Sequence, residues 1–198
     1  AKTTPNPLGL EIDRANGSYI FDTQGKSYLD FIAGVSALPL GHSHPRVVNA
    51  LRAQIEKYMH VMVYGEFAQA PAVELCKHLV GLLPKKHEVV YLTNSGTEAI
   101  EGALKLAKRV TGRPGLIAAQ NSYHGSTHGA LSLMGYENQK KRYRPLLPGV
   151  RFIKFNKRED LEQIDQTTAA VLLESIQGGA GFILPKDNYL KKVKKKCE

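Results

Sequence analysis

From residue 89 to its end the chain alternates short apolar runs with amphipathic stretches, and this alternation constrains the fold most strongly. Val89-Val90-Tyr91-Leu92, Leu116-Ile117-Ala118-Ala119 and Ala169-Ala170-Val171-Leu172-Leu173 read as strands, and Arg151 to Phe155 alternates like a fourth. The run from Ala169 to Leu173 has no polar position, as expected of a strand covered on both faces. Residues 95–110 read as a helix closed by Gly112 and Pro114, residues 158–164 as a short helix, and a last helix starts near Asp187. Strands alternating with helices predict an α/β fold with a mostly parallel sheet and flanking helices.

The first third reads differently. Residues 18–31 predict a hairpin, with turn chemistry from Asp22 to Lys26. Pro45 suits a first helical position, and Val47, Val48, Leu51, Ile55 and Tyr58 then repeat at helical spacing to about Met59. A second helix runs from about Ala70 to Leu83 and is stopped by Pro84. No internal repeat or low-complexity linker interrupts the chain.

Composition excludes several classes. With 42% apolar and 23% charged residues, the 198-residue chain is not disordered, collagen-like or a coiled coil. No apolar run approaches the roughly 20 residues that span a bilayer. Lys2-Thr3-Thr4-Pro5 is no apolar leader, and Cys76 and Cys197 read as free thiols, so a cytoplasmic protein is expected. The net charge is +9, and residues 185–198 hold six lysines against Asp187 and Glu198, +4 of that total. Tyr189, Leu190 and Val193 fall at helical spacing there, which predicts a solvated basic helix face. No zinc finger, helix-turn-helix or RNA-binding aromatic pattern points to nucleic acid. The chain opens at Ala1 without Met and stops at Cys197-Glu198 inside a helical pattern, so it reads as a piece of a longer one.

The sharpest local signal is Thr93-Asn94-Ser95-Gly96-Thr97-Glu98, between a predicted strand and a helix. Ser95 and Glu98 have capping-box spacing. Glu98 and Glu101 suit the positive helix start, and Lys105, Lys108 and Arg109 its end. Gly96 removes a side chain where a ligand approaches the backbone. The amides of Gly96 and Thr97, the Thr97 hydroxyl and the helix dipole then make an anion site, against the plainer reading of a capped helix without ligand. Open α/β sheets bind ligands at the carboxyl ends of their strands, where this turn lies. Tyr123 follows the next strand and offers an aromatic plane for a flat, phosphorylated heterocycle, or packs under a loop. No P-loop, Gly-x-Ser-x-Gly, His-Glu-x-x-His or Gly-x-Gly-x-x-Gly pattern is present. His42 and His44 shape the turn before Pro45, and Gly125 between His124 and His128 argues against a helical ligand pair, so no metal site is expected.

Three stretches in order carry a resemblance: Leu92-Thr-Asn-Ser-Gly-Thr-Glu-Ala99, Tyr123-His-Gly-Ser-Thr127 and Leu173-Glu-Ser-Ile-Gln-Gly-Gly-Ala-Gly181. With Tyr28-Leu-Asp-Phe-Ile-Ala-Gly34 and Leu40-Gly-His-Ser-His-Pro45, they resemble the class III aminotransferases over essentially the whole chain. The resemblance implies a fold type I transferase that uses pyridoxal 5'-phosphate, with residues 1–60 in the small domain and 61–198 opening the cofactor-binding large domain. It implies that Gly96 and Thr97 hold the phosphate beside Ser95, that Tyr123 stacks on the pyridine ring, that His124 and Gly125 shape that turn, and that Glu174 supports the pocket. It also implies a homodimer with the active site at the subunit interface, Tyr64 and Ser126 near the substrate, an amino donor, and a 2-oxo acid acceptor.

The family's cofactor lysine and its Asp-Glu-x-Gln carboxylate are expected beyond Glu198, so these residues alone should not transaminate, and Lys105, Lys108 and Lys191 match no family lysine. Two departures bear on substrate. Ser126 stands where ornithine-type and acetylornithine-type members carry an arginine for the α-carboxylate, and Gly179 where many carry an acidic residue. Serine cannot replace bidentate arginine–carboxylate pairing, which points to an ω-amino acid or amine donor with 2-oxoglutarate or pyruvate as acceptor. The alternatives are an aminomutase or decarboxylating relative, and a non-catalytic phosphate-binding or interaction module.

Overall fold

The computed structural model describes residue 4 and residues 6–198. They form two compact units, one ending at His78 and one spanning Leu79–Glu198. This contact boundary lies beyond the domain boundary expected after residue 60, and inside a helix.

The first unit is built on an antiparallel sheet in the order β1 (Ile12–Asn16), β2 (Tyr19–Asp22), β3 (Ser27–Leu29). The predicted hairpin is β2–β3, with Tyr19 opposite Leu29 and Phe21 opposite Ser27. Asp22 builds its turn, because its carboxylate accepts from the amides of Gln24 and Lys26 and from the Tyr28 hydroxyl at 2.8–3.0 Å. Strand β1 was not foreseen, since Ile12-Asp13-Arg14-Ala15-Asn16 lacks a clear period of two. A single turn, α1 (Ala33–Ser36), follows. His42 Nε2 sits 2.7 Å from the Asp30 carboxylate, and His44 takes the cap position of α2 (Pro45–Lys57), so both histidines shape the entry to that helix. Gly41, at φ +75, lets the chain cross Gly17, where a Cβ would stand 2.7 Å from the Gly17 carbonyl. Helix α3 (Ala70–Leu82) matches its expected span.

The second unit has a three-stranded parallel sheet in the order β5-β4-β6, from β4 (Gly115–Ala119), β5 (Val150–Ile153) and β6 (Thr168–Leu172). Leu116 lies opposite both Val150 and Ala170, and Ala118 opposite Phe152 and Leu172. Among the described residues the fully buried strand is β4, whereas β6, expected to be covered on both faces, is an edge strand and only partly buried. Helix α4 (Gly96–Thr111) packs Ile100 and Leu104 on one face of the sheet, against Leu116 and Ala118. Helix α7 (Tyr189–Cys197) covers the other face, packing Tyr189 and Val193 on Ile117 and Ile153 while its lysines point mostly to solvent. Fully burying one such aliphatic side chain stabilises by about 1.5–3 kcal/mol. Two short helices not read from the sequence, α5 (His128–Ser132) and α6 (Glu137–Lys140), lie between β4 and β5, and a 3-10 turn at Glu159–Gln163 replaces the expected short helix.

One predicted strand does not form. Residues 89–92 are irregular, with Val89 87% and Tyr91 82% exposed. Strand propensity expresses packing and ladder pairing rather than an intrinsic backbone preference, and no described strand pairs with this run. No helix among the described residues is long and apolar enough to cross a membrane.

Candidate active site

The carboxyl ends of β4 and β6 and the start of α4 bring together most of the residues singled out in the sequence. Ser95 caps α4 with extended backbone, and its Oγ accepts from the Glu98 amide at 3.3 Å. The Glu98 carboxylate reaches back to the Asn94 amide at 2.8 Å, one residue before the position a regular capping box uses. Gly112, left-handed at φ 67, closes the helix. The amides of Gly96 and Thr97 meet no acceptor among the described residues. Apart from its chain neighbours and its own helix backbone, nothing among the described residues lies within 4 Å of the place a Gly96 Cβ would take. The Ser95 hydroxyl proton also has no partner there, so three donors at the positive helix end are left without an acceptor among the described residues.

The Thr97 hydroxyl, expected to face an anion, is engaged elsewhere. It lies 2.6 Å from Thr127 Oγ1 and accepts from the Thr127 amide at 3.3 Å. Thr127 Oγ1 in turn donates to Glu101 Oε1 at 2.6 Å. A hydroxyl has one proton, so Thr97 must donate to Thr127. Glu101 Oε1 also accepts from the amides of Gly129 and Ala130 at 2.8 and 3.1 Å. Burial pushes the Glu101 carboxyl up, but these donors outweigh it and hold the group below its ordinary range.

Two glycines permit this close packing. A Cβ on Gly125, at φ +127, would overlap the Thr97 side chain, and one on Gly129 would overlap the Glu101 carboxylate. Sequence reading missed Thr127 and took Glu101 as a dipole partner only; the Gly125-x-Thr127-x-Gly129 spacing is the available signal.

Tyr123 follows β4 and is 51% exposed, and its hydroxyl lies 3.4 Å from Ser126 Oγ. Glu174, just past β6, joins the two strand ends: Oε2 accepts from the Tyr123 amide at 3.2 Å and Oε1 from the Gly178 amide at 3.1 Å. His124 is buried, 8% exposed, and its Nε2 has no hydrogen-bond partner among the described residues. Burial pushes the imidazole below its ordinary pKa, opposed by the Glu174 carboxylate, so it is neutral at pH 7. Buried Gln177, which sequence reading passed over, donates from Nε2 to the Gln120 carbonyl at 2.8 Å and ties the loop after β6 to the loop after β4. Tyr64 belongs to the first unit and is exposed. Among the described residues no group of three histidine, cysteine or carboxylate side chains is placed to hold a metal.

Comparison with known proteins identifies the fold and the family. The chain is 31% identical, with a TM-score of 0.87, to a taurine:2-oxoglutarate aminotransferase from Bifidobacterium kashiwanohense solved with PLP and glutamate; the match covers 98% of this chain and 49% of that one. That likeness, with the parallel sheet and its flanking helices, defines a fold type I transferase. The profile of the family Aminotransferase class-III matches residues 1–198. The LysW-aminoadipate semialdehyde/glutamate semialdehyde transaminase of Sulfurisphaera tokodaii is 37% identical over 190 residues, 96% of this chain and 49% of that protein. The acetylornithine aminotransferase of Clostridium acetobutylicum is 38% identical over 200 residues, 96% of this chain and 50% of that protein. The chain belongs to the class III aminotransferases, and it spans about half the length of the curated relatives it matches.

Proposed function

We propose that the protein containing this chain is an aminotransferase that binds pyridoxal 5'-phosphate and moves an amino group from an amino acid or ω-amine donor to a 2-oxo acid. One observation carries this reading: three unpartnered donors at the start of α4, around a glycine whose missing side chain leaves open space, beside a half-exposed tyrosine ring at the next strand end. These groups fit a flat phosphorylated ligand. The amides of Gly96 and Thr97 and the Ser95 hydroxyl would hold the phosphate, and Tyr123 would stack on the ring. When bound, the cofactor supplies an electron sink for breaking the C–H bond next to the transferred nitrogen.

The chain's own residues bind and orient. Glu174 accepts two backbone amides and fixes the Tyr123 loop against the Gly178 loop, so its role is support of the pocket. Neutral His124 shapes the turn that presents Tyr123 and is assigned no proton transfer. In the complete protein, residues 1–60 would belong to the small domain and 61–198 to the large one. Two copies would share the active site in a cytoplasmic homodimer, with Tyr64 and Ser126 near the substrate. The lysine that anchors the cofactor and the carboxylate for its ring nitrogen would come from residues beyond Glu198.

Ser126 favours an ω-amino acid or amine donor, because serine offers no cation for an α-carboxylate. A second reading, an N-acetylornithine-type donor, is favoured by the acetylornithine aminotransferase among the similar proteins. The complete protein is tested by adding pyridoxal phosphate, trapping it with borohydride and assaying a donor panel against 2-oxoglutarate and pyruvate. Visible absorbance and one trapped lysine are expected. No bound cofactor refutes the enzyme reading, and reaction with N-acetylornithine alone refutes the ω-amine reading.

A further inference from the structure

The hydroxyl relay beside the anion cradle has no ligand role of its own, yet it joins the two halves of the site. Thr97 is in the first turn of α4, whose free amides form the cradle, and Glu101 is one turn further along. Thr127 is on the loop that begins with Tyr123. Three oxygens bind the loop to the helix: the Thr127 amide donates to Thr97 Oγ1, Thr97 Oγ1 to Thr127 Oγ1, and Thr127 Oγ1 to Glu101 Oε1. The amides of Gly129 and Ala130 complete the carboxylate's shell and fix the start of α5 to the same helix. Gly125 and Gly129 bring the backbone close enough for this, because a Cβ at either position would overlap Thr97 or Glu101.

The donor count excludes one simpler role. While the relay holds, the proton of Thr97 Oγ1 is spent on Thr127, so this hydroxyl has nothing to donate to a phosphate oxygen. Its work is directed at the loop.

We propose that Thr127 and Glu101 are positioning residues that set the distance between the α4 amides and the Tyr123 ring, so that one phosphorylated ring spans both. This rests on the cofactor reading above. A preorganised pair of subsites binds a ligand that bridges them far better than it binds either fragment, and loosening the connection removes that advantage without weakening the individual contacts.

The consequence separates two ligands. Inorganic phosphate needs the cradle alone, whereas pyridoxal phosphate needs the cradle and the ring at a fixed separation. In the complete protein stripped of cofactor, Thr127→Val removes the relay at nearly constant volume, and Thr127→Ser keeps the hydroxyl. Glu101→Gln keeps the shape and removes the charge, and serves if the valine variant does not fold. Each variant is titrated with pyridoxal phosphate and, separately, with inorganic phosphate as competitor; visible circular dichroism of the bound cofactor reports the ring's surroundings. Thr127→Val should weaken pyridoxal phosphate about tenfold or more, shrink the visible dichroic band of the cofactor still bound, and leave inorganic phosphate within about twofold of the parent. Glu101→Gln should act in the same direction with a smaller loss, and Thr127→Ser should restore most of the affinity. Equal weakening of both ligands, no weakening of either, or failure of serine to rescue would each overturn the inference. A parent protein that binds inorganic phosphate but no pyridoxal phosphate would overturn the cofactor reading and this inference with it.

Discussion

Gly96→Ala should make the protein more stable and its cofactor affinity worse. Gly96 opens α4, its φ lies outside the left-handed region, and a Cβ there would meet nothing within 4 Å beyond its chain neighbours and its own helix backbone. Alanine therefore fits the folded state without strain and restricts the unfolded chain, a gain of about 0.4–1 kcal/mol. The same methyl occupies space beside the amides of Gly96 and Thr97 that have no acceptor among the described residues. A hydrogen bond to a charged group contributes about 1.5–3 kcal/mol, so losing one such bond to the phosphate costs about ten- to a hundredfold in affinity. Urea unfolding of the cofactor-free complete protein measures the first effect, and titration with pyridoxal phosphate the second. Unfolding stability lowered by about 1 kcal/mol or more, or affinity within about twofold of the parent, would refute the open cradle described for this turn.

Gly125→Ala should have the opposite stability effect, because φ +127 disfavours a side chain and its Cβ would overlap Thr97. A loss of about 1–3 kcal/mol from backbone strain, before any clash, should appear in the same unfolding assay. Leu116→Ala, at a fully buried position in the central strand, should cost about 2–5 kcal/mol in urea unfolding. His124 gives a pH signature. Its pKa is depressed in the folded state, so between that value and the ordinary 6.5 the unfolded chain binds more protons and stability rises with pH. The His124 contribution should be fully present above 6.5 and lost as pH falls through the folded value; unfolding free energies of the parent and His124→Asn, compared from pH 7.5 to about 5, should show a shallower slope in the variant.

Much of the fold was legible because periodicity reports burial. Helices α2, α3, α4 and α7 and strands β4, β5 and β6 stand within a few residues of their expected spans. Val89 to Leu92 failed because a strand needs a neighbour, and local sequence does not say whether one is adjacent. The short helices α5 and α6 carry too few residues to show a period. In the candidate site, Glu174 was named only through the family resemblance, whereas the Ser95 cap, the open turn at Gly96 and the strand-end place of Tyr123 were legible because capping chemistry and strand-end position act over a few residues. Glu101, Thr127 and Gln177 were not, because their partners lie 26, 30 and 57 residues away in sequence. Glu101 also shows how a correct local statement can be incomplete. Its charge suits the start of α4, but its carboxylate is occupied by the start of another helix.

The order β5-β4-β6 has a practical consequence. Among the described residues, the outer edges of β5 and β6 have no ladder partner, and both present unpaired amides and carbonyls to any extended chain that approaches. The run from Val89 to Leu92, exposed except at half-buried Val90, is such a chain, rich in residues that favour strands. Refolding these 198 residues by themselves would therefore follow two competing processes, folding within one copy and strand addition between copies. Recovery should depend on protein concentration: dilution favours the first process, and concentration drives the second.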